Sequence, residues 1–138
     1  MLTARRELKH RIQGLRGLDL FASCSFAELA QIDRLGTPVD LAAGRTLTHE
    51  GAGARECFVV RDGYAVARRG GETVGAIGPG SIAGEMALLD HTTRNATVLA
   101  YTPMELLVLT DSEFKQLLRI APGIEADLDR IVMGRRRN

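Results

Sequence analysis

The chain has 138 residues and a formal charge of +1, from 18 basic and 17 acidic side chains, a balance that draws it neither onto nucleic acid nor onto a membrane surface. Its length suits one domain able to bury a core, and 45% hydrophobic against 25% charged residues excludes a disordered chain. No apolar run reaches the ~18 residues of a membrane span, the N-terminus carries no signal-peptide stretch, and two cysteines, Cys24 and Cys57, make no disulfide framework and fit a reducing cytoplasm.

Residues 2–16 read as a basic amphipathic helix, with Leu8, Ile12 and Leu15 on one side and Arg5, Arg6, Lys9, Arg11 and Arg16 supplying charge. It packs on the domain, or contacts a partner or a membrane surface. Ser25 is an N-cap with Glu28 three residues on, which predicts a helix over Phe26–Leu35 with Phe26, Leu29, Ile32 and Leu35 as its buried stripe. Gly36 stops it and Pro38 prevents its resumption.

Glycine marks the middle of the chain. There are 15, mostly between Gly36 and Gly84, where helices would avoid them and tight turns need them. Short strands are predicted over 39–41, 46–49, 57–61, 64–68, 73–77, 96–101 and 104–109. Between them lie the turn signals Ala43-Gly44, Glu50-Gly51, Asp62-Gly63, Gly70-Gly71, Gly78-Pro79-Gly80 and Thr102-Pro103. At least seven such strands imply a sandwich or barrel. Asp111 is read as the N-cap of a helix over 112–120, with Phe114, Leu117 and Leu118 inside. After Ala121-Pro122-Gly123, a last helix over 124–134 carries Ile124, Leu128, Ile131 and Val132 and ends in Arg135-Arg136-Arg137. The organisation is one domain: helices over 1–36, a β-barrel over 37–109, and helices over 110–138.

One stretch, 78–98, breaks the strand pattern: a glycine-rich turn, a short helix, a polar loop, then a strand. Gly84 lets backbone approach a ligand closely. A helix beginning at Glu85 points free amides outward and attracts an anion, phosphate above all. Arg94 opens the next strand and suits the same anion, since a guanidinium makes two parallel bonds to phosphate and keeps its charge. Glu85 fits beside an anion if it accepts hydrogen bonds from a hydroxyl of the same ligand. Phosphate plus ribose implies a nucleotide.

The run Ala83-Gly84-Glu85-Met86-Ala87-Leu88-Leu89, then Thr93-Arg94-Asn95-Ala96-Thr97-Val98, resembles the phosphate-binding cassette of the cyclic-nucleotide-binding domain family. That family includes the catabolite activator protein, regulatory subunits of cyclic-nucleotide-dependent kinases, and nucleotide-gated channels. The likeness extends over residues 18–134: Leu20-Phe21 and Phe26-Ala27-Glu28-Leu29 match its opening helices, and Gly44, Glu50-Gly51, Phe58-Val59-Val60 and Gly63 its turns. Phe114-Lys115-Gln116-Leu117-Leu118 matches the helix after the barrel.

The resemblance implies a mainly β fold, an eight-stranded jelly-roll-like barrel between helices, that binds cAMP, or cGMP as second choice, without turning it over. It implies that Gly84 offers backbone to the ligand, Glu85 takes the ribose 2′-OH, and Arg94 takes the cyclic phosphate. Met86, Ala87 and Asn95 would supply amides, and Ala96 completes the ligand-binding set. Pocket walls would come from residues near Ile82 and Val98. Thr93 stands where the family commonly has Pro, and Asn95 where it has a small residue. The resemblance further implies that Met86, Leu88 and Leu89 couple ligand to the C-terminal helix, that an output domain or partner protein reads that movement, and that the C-terminal helix offers a homodimer contact.

Other readings compete. Taken singly, Glu85 is a solvated helix residue and Arg94 half of a surface ion pair. His49 and His91 read as surface histidines, Cys57 as a small core residue, Cys24 as a helix-start residue, and Tyr64 and Tyr101 as packing or rim positions. A metal enzyme of similar fold needs paired imidazoles, whereas His10, His49 and His91 are scattered, so no metal, cofactor or catalytic residue is expected. A DNA-reading head finds no room before Asn138. A domain that has lost its ligand and serves as an interaction or dimerisation module is the alternative.

Overall fold

The computed structural model describes residues 12–84, 93–124 and 126. Glu85, Met86, Ala87, Leu88, Leu89 and His91 lie outside them, as do residues 2–11 of the expected first helix and nearly all of the last one. Residues 12–16 are helical (α1), and a single 3-10 turn, Asp19–Phe21, leads on.

Helix α2 spans Phe26–Leu35 and is closed by the capping box legible in the sequence: Glu28 N–H donates to Ser25 Oγ at 3.1 Å and Ser25 N–H donates to Glu28 Oε1 at 2.8 Å. Its buried face differs from the expected stripe. Leu29, Ile32 and Asp33 are buried, whereas Phe26 is 45% exposed and Leu35 is half-buried. Positions three apart drift by roughly 60° per step around an α-helix, so Phe26 and Leu35 end on opposite sides. Asp33 falls about 40° from Leu29 in rotation, on its Phe26 side, and pairs with Arg61 at 3.6 Å.

Among the described residues eight strands follow: β1 Thr37–Leu41, β2 Thr46–Thr48, β3 Glu56–Asp62, β4 Ala65–Arg69, β5 Glu72–Ile77, β6 Ile82–Ala83, β7 Thr97–Ala100 and β8 Met104–Thr110. They form two antiparallel four-stranded sheets, ordered β1-β8-β3-β6 and β2-β7-β4-β5, as the expected jelly roll requires. Pro38 is tolerated because β1 is an edge strand. The β4–β5 connection is a two-residue turn with both glycines at positive φ (59° and 81°), the geometry that matches strand twist.

The first sheet is covered on both faces, which explains the near-continuous apolar runs of β3 and β8. Phe58, Val60, Met104 and Leu106 face the second sheet and pack with Ala65, Ala83, Val98 and Ala100. Cys57, Val59, Leu107 and Leu109 face the helices and pack with Leu29, Ile32, Phe114, Leu117 and Ile124. Ile82 belongs to this helix-side core, and Val98 to the core between the sheets. Gly36 lets α2 approach β8: a Cβ there would sit 2.9 Å from Leu107 and Leu109 side-chain carbons.

Helix α3 spans Asp111–Ile120, and its N-cap is Thr110 rather than Asp111. Glu113 N–H donates to Thr110 Oγ1 at 3.2 Å, and Thr110 N–H to Glu113 Oε1 at 2.9 Å. Only Thr110 has a glutamate three residues on, and the reciprocal box selects it. Phe114 and Leu117 are buried, and Leu118 is half-buried against the core.

Candidate functional site

Strand β6 is only two residues long, yet it positions the site. Ile82 and Ala83 pair with Val59 and Phe58 of β3, and the chain leaves the strand at Gly84 with φ +86°. That conformation is strained for any residue with a Cβ. Space forbids one too: a Cβ at Gly84 would collide with Arg94 Nη1 and lie 3.3 Å from the Glu56 carbonyl oxygen.

Arg94 is 7% exposed, and its guanidinium is locked by backbone. Nη1 donates to the Gly84 carbonyl at 2.8 Å, and Nη2 to the Glu56 carbonyl at 2.6 Å. Its Cζ lies 6.0 Å from the centre of the Phe58 ring, at the limit of a cation–π contact. Carbonyl oxygens satisfy these two donors and hold the guanidinium in one place.

The backbone around Arg94 is strapped to the β2–β3 loop. Arg94 N–H donates to Ala52 O at 2.8 Å, Gly51 N–H donates to Arg94 O at 2.8 Å, and Thr93 bridges Gly53. Asn95 is exposed, and its carbonyl accepts from Arg69 Nε at 2.9 Å. Ala96 is buried and its carbonyl accepts from Thr48 Oγ1 at 3.0 Å.

The structure therefore brings together Gly84 and Arg94, with Asn95 and Ala96 adjoining in the chain. Glu85, Met86 and Ala87 lie outside the described residues. Sequence reasoning missed Glu56, which acts through its carbonyl and leaves no side-chain signature, and Arg69, which read as one more charge at a strand end. Phe58, inside an apolar strand run, gave no sign of facing a cation. Cys57 is buried and His49 is exposed, as read; Cys24, just before the α2 cap, is buried too, and Tyr64 and Tyr101 are exposed. Among the described residues no three His, Cys, Asp or Glu side chains group to hold a metal, and no helix is long and apolar enough to cross a membrane.

Residues 38–120 match the family model described as the cyclic nucleotide-binding domain. The chain is 36% identical over 104 residues to Glutaminase 2 of Bradyrhizobium diazoefficiens, covering 75% of this chain and 16% of that protein. It is 37% identical over 75 residues to the cGMP-dependent protein kinase egl-4 of Caenorhabditis briggsae, covering 54% of this chain and 10% of the kinase. It thus spans a small part of the curated relatives it matches. Among solved structures it superimposes on the catabolite activator protein of Thermus thermophilus with a TM-score of 0.76 and 27% identity, over 86% of this chain and 58% of that one.

Proposed function

The chain belongs to the cyclic nucleotide-binding domain family, and from that premise we propose that it binds cAMP, with cGMP as second choice, at Arg94 and does not turn the ligand over. The observation that carries the reading is the buried Arg94 guanidinium, held between the Gly84 and Glu56 carbonyls on a backbone where only glycine fits. A cyclic phosphate is a compact monoanion. Two parallel N–H bonds from a guanidinium suit it, and desolvation of the cation makes the attraction stronger than at the surface. In this reading Glu85 accepts the ribose 2′-OH, and amides of Met86, Ala87, Asn95 and Ala96 complete the phosphate cradle.

The domain regulates rather than catalyses. We propose that ligand capture shifts a two-state equilibrium of the C-terminal helices through Met86, Leu88 and Leu89, read by an output domain, a partner protein or a second copy. The lever is close to the site. Glu56, which holds Arg94, pairs with Thr110, the cap of α3, and Asp111 N–H donates to the Arg55 carbonyl at 3.1 Å. Ligand moves such an equilibrium only as far as its affinities for the two states differ.

Isothermal titration with cAMP, cGMP and 5′-AMP tests the reading. Saturable binding of a cyclic nucleotide is expected, with the open-ring monophosphate much weaker. Arg94→Ala should cost on the order of 3–5 kcal/mol of that binding, because the buried phosphate loses its counter-charge. Absence of binding by either cyclic nucleotide, with no thermal shift, would overturn the reading in favour of a module that has lost its ligand.

A further inference from the structure

Three successive carbonyls at the site are each held by a donor from a different segment. Arg94 O accepts from Gly51 N–H at 2.8 Å, Asn95 O from Arg69 Nε at 2.9 Å, and Ala96 O from Thr48 Oγ1 at 3.0 Å. The middle donor comes from the end of β4. The turn after it is anchored on the same side, since Gly70 N–H donates to Glu50 Oε2 at 3.1 Å and Glu50 N–H donates to Thr97 Oγ1 at 3.0 Å. A fixed hairpin tip thus holds one peptide of the segment that carries Arg94.

A peptide unit is planar and trans, so fixing its carbonyl fixes the following N–H in the opposite direction. The Asn95 carbonyl turns toward Arg69, and the Ala96 N–H is therefore turned away from it. Ala96 is 8% exposed, and its N–H has no hydrogen-bond partner among the described residues. Amides on buried residues are almost always paired, and one without a partner among the described residues is open to a ligand oxygen.

Resting on the reading of this site as a cyclic-nucleotide pocket, we propose that Arg69 is a positioning residue for the ligand's phosphate. By holding the Asn95 carbonyl it presents the Ala96 N–H to a phosphate oxygen beside the Arg94 guanidinium, and it makes the β4–β5 turn an arm of the site. Arg69 does not touch the ligand. Its contribution is that of one hydrogen bond to a backbone carbonyl, transmitted through one peptide.

The test follows the Ala96 amide by NMR in the uniformly ¹⁵N-labelled chain titrated with cAMP, alongside Arg69→Ala, Arg69→Lys and Arg94→Ala. In the wild type the Ala96 amide proton should move downfield on saturation, as an N–H gaining an anionic acceptor does. In Arg69→Ala the displacement should shrink and affinity fall about fivefold, equally at low and high salt, with the melting temperature unchanged. Arg69→Lys keeps the charge but lacks the planar fork, and should not recover wild-type affinity. Full recovery by Arg69→Lys, or a loss that fades at high salt, would make Arg69 a distant charge and overturn the proposal. So would an Ala96 amide that stays in place while the wild type saturates and Arg94→Ala does not bind, a result that leaves the nucleotide reading intact. A wild type that gives no saturable shift at any amide would overturn both.

Discussion

Gly84→Ala separates backbone strain from the collision with Arg94, because Gly44 supplies a matched control. Both glycines have nearly the same φ, +86° and +87°. A Cβ at Gly44 meets nothing within 4 Å, whereas one at Gly84 collides with Arg94 Nη1 and lies 3.3 Å from the Glu56 carbonyl. The left-handed conformation alone costs an alanine about 1–2 kcal/mol, which is the whole expected loss for Gly44→Ala. At Gly84 the guanidinium must also leave its place, and a hydrogen bond from a charged donor is worth about 1.5–3 kcal/mol. Losing one of the two raises the expected cost to about 2.5–5 kcal/mol, a large share of a typical ~5–15 kcal/mol stability. Urea denaturation reads this as a lower midpoint at unchanged slope, and cAMP affinity should fall at least tenfold beside it. Equal losses in the two variants, or a Gly84→Ala protein that binds cAMP like the wild type, would refute the placement of Arg94 against Gly84.

Other expectations are simpler. Asp33→Ala removes one partner of a pair 3.6 Å apart whose side chains are both mostly buried, and should cost about 3 kcal/mol by thermal or chemical denaturation. Phe26→Ser, on the exposed flank of the same helix, should change stability by less than about 0.5 kcal/mol. Thr110→Ala opens the α3 capping box at a cost of about 1 kcal/mol, whereas Asp111→Ala should lose only the few tenths that a first-turn carboxylate contributes. Gly36→Ala has no φ strain to pay but pushes a methyl into Leu107 and Leu109, and should destabilise by about 1–3 kcal/mol in denaturant melts.

Where local chemistry decides an element, the sequence shows it. Ser25 with Glu28, and the glycine-rich turns between β-propensive runs, placed α2 and seven of the eight strands to within one or two residues. The failures have physical causes. A stripe counted every third residue winds around a helix, which hid the burial of Asp33 and the exposure of Phe26. Two neighbouring cap-forming residues, Thr110 and Asp111, look equivalent until the partner glutamate is counted back from position 113. Strand β6 has two residues, too few for any periodicity, and exists because Phe58 and Val59 already offer a paired edge. At the site, Gly84 and Arg94 were legible because glycine and arginine are there for their own chemistry. Glu56, Gly51 and Asn95 contribute carbonyls or amides, which every residue possesses, so only the fold reveals which are used.

The position of Arg94 explains why so few residues suffice. Its side chain bonds two carbonyls of the first sheet's strands, Gly84 just past β6 and Glu56 at the head of β3, while its backbone runs within three residues into β7 of the second sheet. Arg94 is thus a tie between two sheets as well as the proposed anion receptor. In the proposed reading, an anion that drew the guanidinium away from the Gly84 and Glu56 carbonyls would release β6 and the start of β3. Through the Glu56–Thr110 pairing the effect would also reach the cap of α3. A ligand bound by an isolated surface arginine would leave the backbone as it found it. One bound here, as proposed, would compete with contacts that hold the domain together, and occupancy and conformation would be linked by the same few hydrogen bonds.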